Sequence, residues 1–253
     1  MGDGFLSIFK TKAIVIKTSD LKENDKLVWL FTEKLGRIST VAKGAKKSRS
    51  KFLSLTLPFS FGEFVVFKGK SMYTINEGEV INSFQSLLND LDSLTYASYI
   101  CELVDIALLD EESNRELFKD FVKVFYLMEN KAIDLDLLCR AFEVKLLLAS
   151  GYYFNLEQCA VCRKSINTSN YVDFQYLGGV CSDCEKSRGM SISFAAYNAL
   201  KYLSKVSIEN VYRVTLTKEV KSELYKLLTN IIAENFGKKP NSLQALNYIK
   251  GVE

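Results

Sequence analysis

Hydrophobic and polar positions change rhythm once along this chain. Between residues 13 and 81 short apolar, β-rich runs are separated by brief polar stretches. Residues 13–18, 26–32 and 37–42 read as strands, the last with one polar and one apolar face, as a half-buried strand requires. Residues 58–68 and 71–81 supply two more, and Lys68-Gly69-Lys70 turns the chain between them. Five strands within about eighty residues are the right number and size for a small closed barrel. The oligonucleotide/oligosaccharide-binding (OB) fold is one such barrel, and an SH3-like barrel matches the strand count nearly as well.

From Ser83 the period becomes helical. Leu87, Leu88, Leu91, Leu94, Ile100, Leu103, Val104 and Leu108 keep a spacing near 3.6, and Leu117, Phe118, Phe121, Val124, Phe125 and Met128 repeat it. Asp134 is placed to cap a third helix that carries Leu137, Leu138, Ala141, Phe142, Val144 and Leu148 and stops near Gly151. Two more helices follow at about 193–204 and 218–236, the second capped by Thr217. Cys101 and Cys139 fall among apolar residues and read as small core side chains. The change of period puts a boundary near residues 80–85 with no flexible linker. The expected organisation is an α+β chain of two packed units: a five-stranded barrel over residues 1–82 and a helical unit over 83–253.

Composition sharpens this mainly by what is missing. Hydrophobic residues at 48% and charged residues at 25% are ordinary for a globular chain. There is no histidine. That excludes a Ser-His-Asp triad, a Cys-His dyad and an HExxH zinc site, and it removes the usual neutral-pH general base. No GxxxxGK[ST] loop occurs, and no GxGxxG follows a strand, so no nucleotide cofactor is expected. Asp110-Glu111-Glu112 reads as a solvated loop between helices, and Glu143 as a buried or capping ion-pair partner rather than a catalytic base. A binding module fits better than an enzyme. No window approaches 18 consecutive apolar residues. The first ten residues lack a signal-peptide pattern, and Leu6 is wrong for myristoylation. A cytoplasmic location without membrane attachment is expected, with thiols kept reduced.

The net charge of +3 conceals an asymmetry: residues 1–80 hold 14 Lys+Arg against 8 Asp+Glu. Five of the cations fall within nine residues, at Lys43, Lys46, Lys47, Arg49 and Lys51, in a loop that contains Gly44 and serines. One reading is a solvated loop of no function. The other is a contact with phosphate backbones, in which each cation displaces counterions.

Four of the six cysteines form two CxxC pairs, Cys159 with Cys162 and Cys181 with Cys184, separated by eighteen residues. Two residues between thiolates let one tight turn present both sulfurs to one metal, and two such turns complete a tetrahedron. The expectation is a closed, structural site for one Zn²⁺. Redox-active pairs or four unligated thiols are the alternatives, and neither requires two pairs at matched spacing. Gly178-Gly179 precedes the second pair, and Arg163, Lys164, Lys186 and Arg188 flank the knuckles, where they can offset thiolate charge.

Taken in order, these marks resemble the RecO family of bacterial recombination mediators. The resemblance spans roughly residues 10–200. It is carried by Ala13-Ile14-Val15, Phe31-Thr32-Glu33, Gly36, Ala42-Lys43-Gly44-Ala45-Lys46-Lys47 and Leu57-Pro58-Phe59 in the barrel part. Tyr99 to Leu103, Arg140-Ala141-Phe142-Glu143, Gly151-Tyr152 and the cysteine quartet carry it further. Phe154-Asn155 stands where the family pattern would have a proline. The resemblance implies an N-terminal OB barrel, a helical domain and a zinc-bearing segment at about 155–190. It implies binding of single- and double-stranded DNA, annealing of complementary strands, and work with RecR to load RecA onto DNA coated by single-strand-binding protein (SSB). It also implies capture of the SSB tail by the helical domain, for which Arg140 is a candidate; a surface helix cation is the plainer reading of that residue. The expected phosphate contacts are Lys43, Lys46, Lys47, Arg49 and Lys51, with Lys34 and Arg37 nearby. Trp29, Phe31, Phe64 and Tyr73 can stack bases, although closing a small barrel uses up such side chains. A zinc-bearing barrel that binds RNA or promoter DNA, and a zinc-stabilised enzyme with a carboxylate base, remain the competing readings.

Overall fold

The computed structural model describes residues 7–250. Met1, Gly2 and Leu6, on which the leader and acylation readings rest, lie outside them. Five strands, β1 (Ile8–Asp20), β2 (Lys26–Thr32), β3 (Gly36–Ala42), β4 (Phe61–Lys68) and β5 (Tyr73–Asn82), form a closed barrel in the order β1-β2-β3-β5-β4. β4 returns to pair with β1, and only the β3–β5 pairing is parallel. Alternation sets the inside: Ala13, Val15, Val28, Leu30, Ile38, Phe64, Val66 and Ile75 fill the barrel. The outward residues Ile14, Ile16 and Phe31 are buried too, because they belong to the helical core. Thus β1 and the far end of β2 are apolar on both faces. The connection from β3 to β4 closes one end of the barrel. Its Ala45, Phe52 and Leu55 join the barrel core, and a Cβ on Gly78 would come within 2.5 Å of Leu55.

The helices are α1 (Leu91–Ala107), α2 (Arg115–Glu129), α3 (Leu135–Ala149), α4 (Phe194–Lys205), α5 (Lys218–Phe236) and α6 (Leu243–Lys250). Asp90, Asn114, Asp134, Ser193 and Thr217 cap the first five through their side chains. α3 is buried at ten of its fifteen positions and packs against α1, α2, α4 and α5, so it is the central helix. The helical pattern did not disclose α6. Its start is fixed from α1, where the Glu102 carboxylate accepts the N–H groups of Asn241 and Ser242, each at 2.8 Å. Burial pushes the Glu102 carboxyl up, but these bonds outweigh it and hold the group below its ordinary range. Among the described residues no helix is long and apolar enough to cross a membrane.

Barrel and helices meet at the turn between β2 and β3. Gly36 has φ +66°, and a Cβ there would lie 2.1 Å from the carbonyl oxygen of Glu112. The Glu111 N–H donates to the Arg37 carbonyl at 2.9 Å. The Asp110-Glu111-Glu112 run is therefore a docking strap rather than a purely solvated loop. Asp110 pairs with Arg37 at 2.7 Å, and Glu111 pairs with Lys68. Gly36→Ala should combine a left-handed conformation that alanine resists with a backbone clash, for a loss of about 2 kcal/mol. A urea midpoint unchanged from wild type would show that the strap can withdraw without cost.

Candidate nucleic-acid interface and metal centre

The cysteine quartet sits between α3 and α4, on a three-stranded sheet of β6 (Tyr171–Asp173), β7 (Gly178–Gly179) and β8 (Gly189–Ser191), ordered β7-β6-β8. The first knuckle is a tight turn: Cys159 N–H donates to the Lys164 carbonyl at 2.8 Å, and Arg163 takes φ +63°. Gly179 leaves room for Tyr197, whose hydroxyl donates to the Leu156 carbonyl at 3.0 Å and ties the segment to α4. The four Sγ atoms of Cys159, Cys162, Cys181 and Cys184 all lie within 4.8 Å of one another. A metal–sulfur bond of about 2.3 Å in a tetrahedron puts ligand sulfurs about 3.8 Å apart. Cys162 and Cys181 stand at 3.8 Å, which is far longer than a disulfide. Burial raises the Cys159 thiol, but the backbone N–H groups of Cys181, Cys162 and Val161 bring it down to about 6. Hydrogen bonds with Cys181 and Cys162, with burial added, push Cys184 up to about 12. The sulfurs thus share protons that a cation can replace, and the donor set suits a soft, tetrahedral ion. Lys164 is drawn to Asp183 at 3.3 Å, and Arg188 to Glu234 at 3.4 Å.

The basic loop leaves β3 at Ala42. Gly44 N–H donates to Asp25 at 2.8 Å, and Lys46 N–H to the Asn24 carbonyl at 3.0 Å, so the loop leans on the β1–β2 turn. Lys43, Lys46, Lys47, Arg49 and Lys51 are exposed. Lys46 reaches Asp20 at 2.7 Å, while Lys51 lies over the Phe52 ring. Lys34 is exposed as well and donates to the Lys10 carbonyl at 2.8 Å.

Two expected contacts are placed otherwise. Arg37 faces the helices rather than solvent, with its guanidinium held by Asp105 at 2.5 Å and Asp110 at 2.7 Å. It serves to join the barrel to the helices, and both its terminal nitrogens are occupied there. Arg140 is not a surface cation; its side chain is 0% exposed. It pairs with Glu143 at 2.8 Å and Asp136 at 3.4 Å and lies under the Tyr225 ring. Such a guanidinium has no exposed donor to offer a partner's carboxylate. Glu143 is the ion-pair partner that its sequence context suggested, and it also accepts from the Tyr99 hydroxyl at 2.6 Å. Burial first, then the Glu143 charge, pushes the Tyr99 phenol well above its usual range.

Of the four aromatics, Phe64 fills the barrel, Phe31 packs edge-on against Phe118 and Phe121, and Tyr73 is buried beside Phe9. Only Trp29 is partly exposed, with the Lys17 ammonium 4.8 Å from its ring centroid. Sequence patterning overlooked Lys17, although it is the one cation that follows the apolar run 13–16 directly.

Comparison with known proteins covers both centres. The model for the N-terminal part of recombination protein O matches residues 6–84, and that for its C-terminal part matches residues 88–244. The chain belongs to the RecO family. Membership in this family of recombination and repair proteins supports a role in recombinational DNA repair. Curated relatives agree along their whole length. A DNA repair protein RecO from Clostridium novyi is 58% identical over 253 residues, covering 100% of this chain and 99% of the relative. One from Clostridium acetobutylicum is 53% identical over 97% of this chain and 99% of its own length. A more distant one, from Caldicellulosiruptor saccharolyticus, is 28% identical over 97% and 100%. In RecO terms the basic loop lies inside the N-terminal match, and the cysteine quartet lies inside the C-terminal one.

Proposed function

We propose that this chain is a DNA-binding recombination mediator. In this reading it binds single- and double-stranded DNA, anneals complementary strands, and works with RecR to load RecA onto SSB-coated single strands. The observation that carries it is an exposed basic loop mounted on a closed five-stranded barrel in a RecO-family chain. The barrel's strand order, with β4 returning to β1, supports an OB fold. Annealing brings like-charged strands together, and an exposed cationic loop lowers that repulsion without bond chemistry. No catalytic step is needed, so the chain acts as a binding protein and not as an enzyme.

Residues 1–82 form the DNA-binding unit and 83–253 the helical unit. Lys43, Lys46, Lys47, Arg49 and Lys51 meet phosphates, with Lys34 at the margin. Cys159, Cys162, Cys181 and Cys184 hold one structural Zn²⁺, which braces the segment at about 155–190. SSB-tail capture by the helical unit proceeds without Arg140. The protein works in the cytoplasm, at the nucleoid.

Annealing of SSB-coated complementary oligonucleotides, without nucleotide, tests the whole reading. Replacing Lys43, Lys46, Lys47 and Arg49 together by Ala should weaken binding to all DNA sequences alike. For every phosphate that no longer meets a cation, the slope of log K against log salt should fall by about 0.7–0.9. An unchanged slope would move the DNA site off this loop. Preference for RNA with no annealing would instead favour an RNA- or promoter-binding module.

A further inference from the structure

On the outer face of the barrel, two cross-strand rows run side by side. Lys17, Trp29 and Ser39 form one, and Ser19, Leu27 and Val41 form the other. Outward positions on a solvated strand face are normally polar. Here Leu27, Trp29 and Val41 are apolar, and each is only half-buried. The helical core accounts for one side of Trp29, which packs against it, and leaves the rest of the strip half-exposed. The helices cover the far end of the face, where Phe31 packs under α2 and Arg37 is clamped to Asp105 and Asp110. From Trp29 the strip runs the other way, through Leu27 and Val41 to the exposed Lys43.

We infer that this strip is a stacking platform for single-stranded DNA, with Trp29 receiving a base and the basic loop receiving the adjoining phosphates. The inference rests on the barrel being the nucleic-acid-binding unit, and it adds the residue that reads an unpaired base. Base–aromatic stacking tolerates any sequence, because every base has a π face, and it requires an aromatic beside a cationic track. Trp29 meets both conditions. Ser39, its partner on β3, lies four residues from Lys43, about 13 Å along the strand. Lys17 completes the site. Its side chain is 55% exposed, and its ammonium lies over the indole ring, 3.9 Å from Asp105. The Asp105 charge is itself neutralised by Arg37 at 2.5 Å. A base that takes the ring face displaces the ammonium, which then stays within reach of the next phosphate. A duplex keeps its bases stacked inside, so it gains from the basic loop but not from Trp29.

Trp29 is the one tryptophan in the chain, so the native protein reports on the site directly. Titration of the full chain with oligo-dT should change the tryptophan emission and shield it from acrylamide. Both changes should saturate together with the anisotropy of a labelled oligo-dT. Trp29→Ala should weaken binding to oligo-dT roughly five- to a hundredfold, and duplex binding less than twofold, at an unchanged salt slope. Trp29→Phe keeps an aromatic face and should recover most of the loss. Oligo-dT that binds by anisotropy while emission and acrylamide access stay constant would overturn the stacking site and leave the basic-loop reading standing. Equal losses on single strands and duplex would overturn it as well. No DNA binding by the native chain at all would overturn the parent reading, and this inference with it.

Discussion

Arg140→Ala should destabilise the protein by about 3–5 kcal/mol, among the largest effects expected of a single substitution here. The loss would come from what is left behind. Arg140 and Glu143 are one turn apart on α3, both side chains are 0% exposed, and their charges meet at 2.8 Å. Without the guanidinium, the Glu143 carboxylate loses its counter-charge at 2.8 Å and keeps the Tyr99 hydroxyl at 2.6 Å, so it must either stay charged in the core or take up a proton. Replacing both charges, as Arg140→Met with Glu143→Leu, should recover a large part of the loss, because a hydrophobic pair of similar volume avoids the stranded charge. Urea unfolding of the two single variants and the double variant gives the coupling directly. Additive losses would mean that the two residues act separately. DNA affinity measured on folded Arg140→Ala protein should remain close to wild type, since this network lies inside the helices.

Stripping the metal from zinc-loaded protein should release the segment between α3 and α4 while the rest stays folded. That segment has little of its own to hold it. Its private core is Cys159, Ala160, Tyr171 and Val180, and its strands are two or three residues long. Sheets so short need another constraint, and structural zinc contributes on the order of 10 kcal/mol in comparably small folds. Amide exchange at Tyr171–Asp173 and Gly189–Ser191 should therefore accelerate roughly a hundredfold or more with a chelator. Exchange in β1 and α3 should be unaffected. Cys184→Ser should behave like the chelated protein, whereas Cys101→Ser should retain a full complement of zinc. Metal-free protein with unaltered exchange would show that the quartet needs no ion.

The sequence disclosed most where one physical constraint dominated. Short runs of β-branched and aromatic residues located all five barrel strands, and in β3 alternation also showed which face meets the core. The pattern undershot β1, which begins at Ile8, since Ile8 and Lys10 are exposed and carry no inward signal. Asp134 and Thr217 cap α3 and α5 as their side-chain chemistry suggested. The CxxC spacing foretold the four-sulfur cluster, because ligand spacing is a local property of two turns. Arg37 and Arg140 illustrate the limit. Each is basic and near a suggestive motif, yet each is consumed by carboxylates that only folding brings close: Asp105 lies 68 residues from Arg37. Charge counts along a chain cannot tell a free cation from one already paired. α6 was missed because its fixed start depends on Glu102, some 140 residues earlier.

The connection between β3 and β4 has a consequence for how such a protein can diverge or be re-engineered. Ala45 at one side and Phe52 with Leu55 at the other are sealed into the barrel, whereas Lys46, Lys47, Ser48 and Arg49 between them are exposed. The charged stretch is thus a cassette held by two apolar rivets. Its length and charge can be rewritten without touching the barrel, as long as the rivets stay. Grafting a neutral or acidic cassette between Ala45 and Phe52 would give a chain of the same fold and a different electrostatic character.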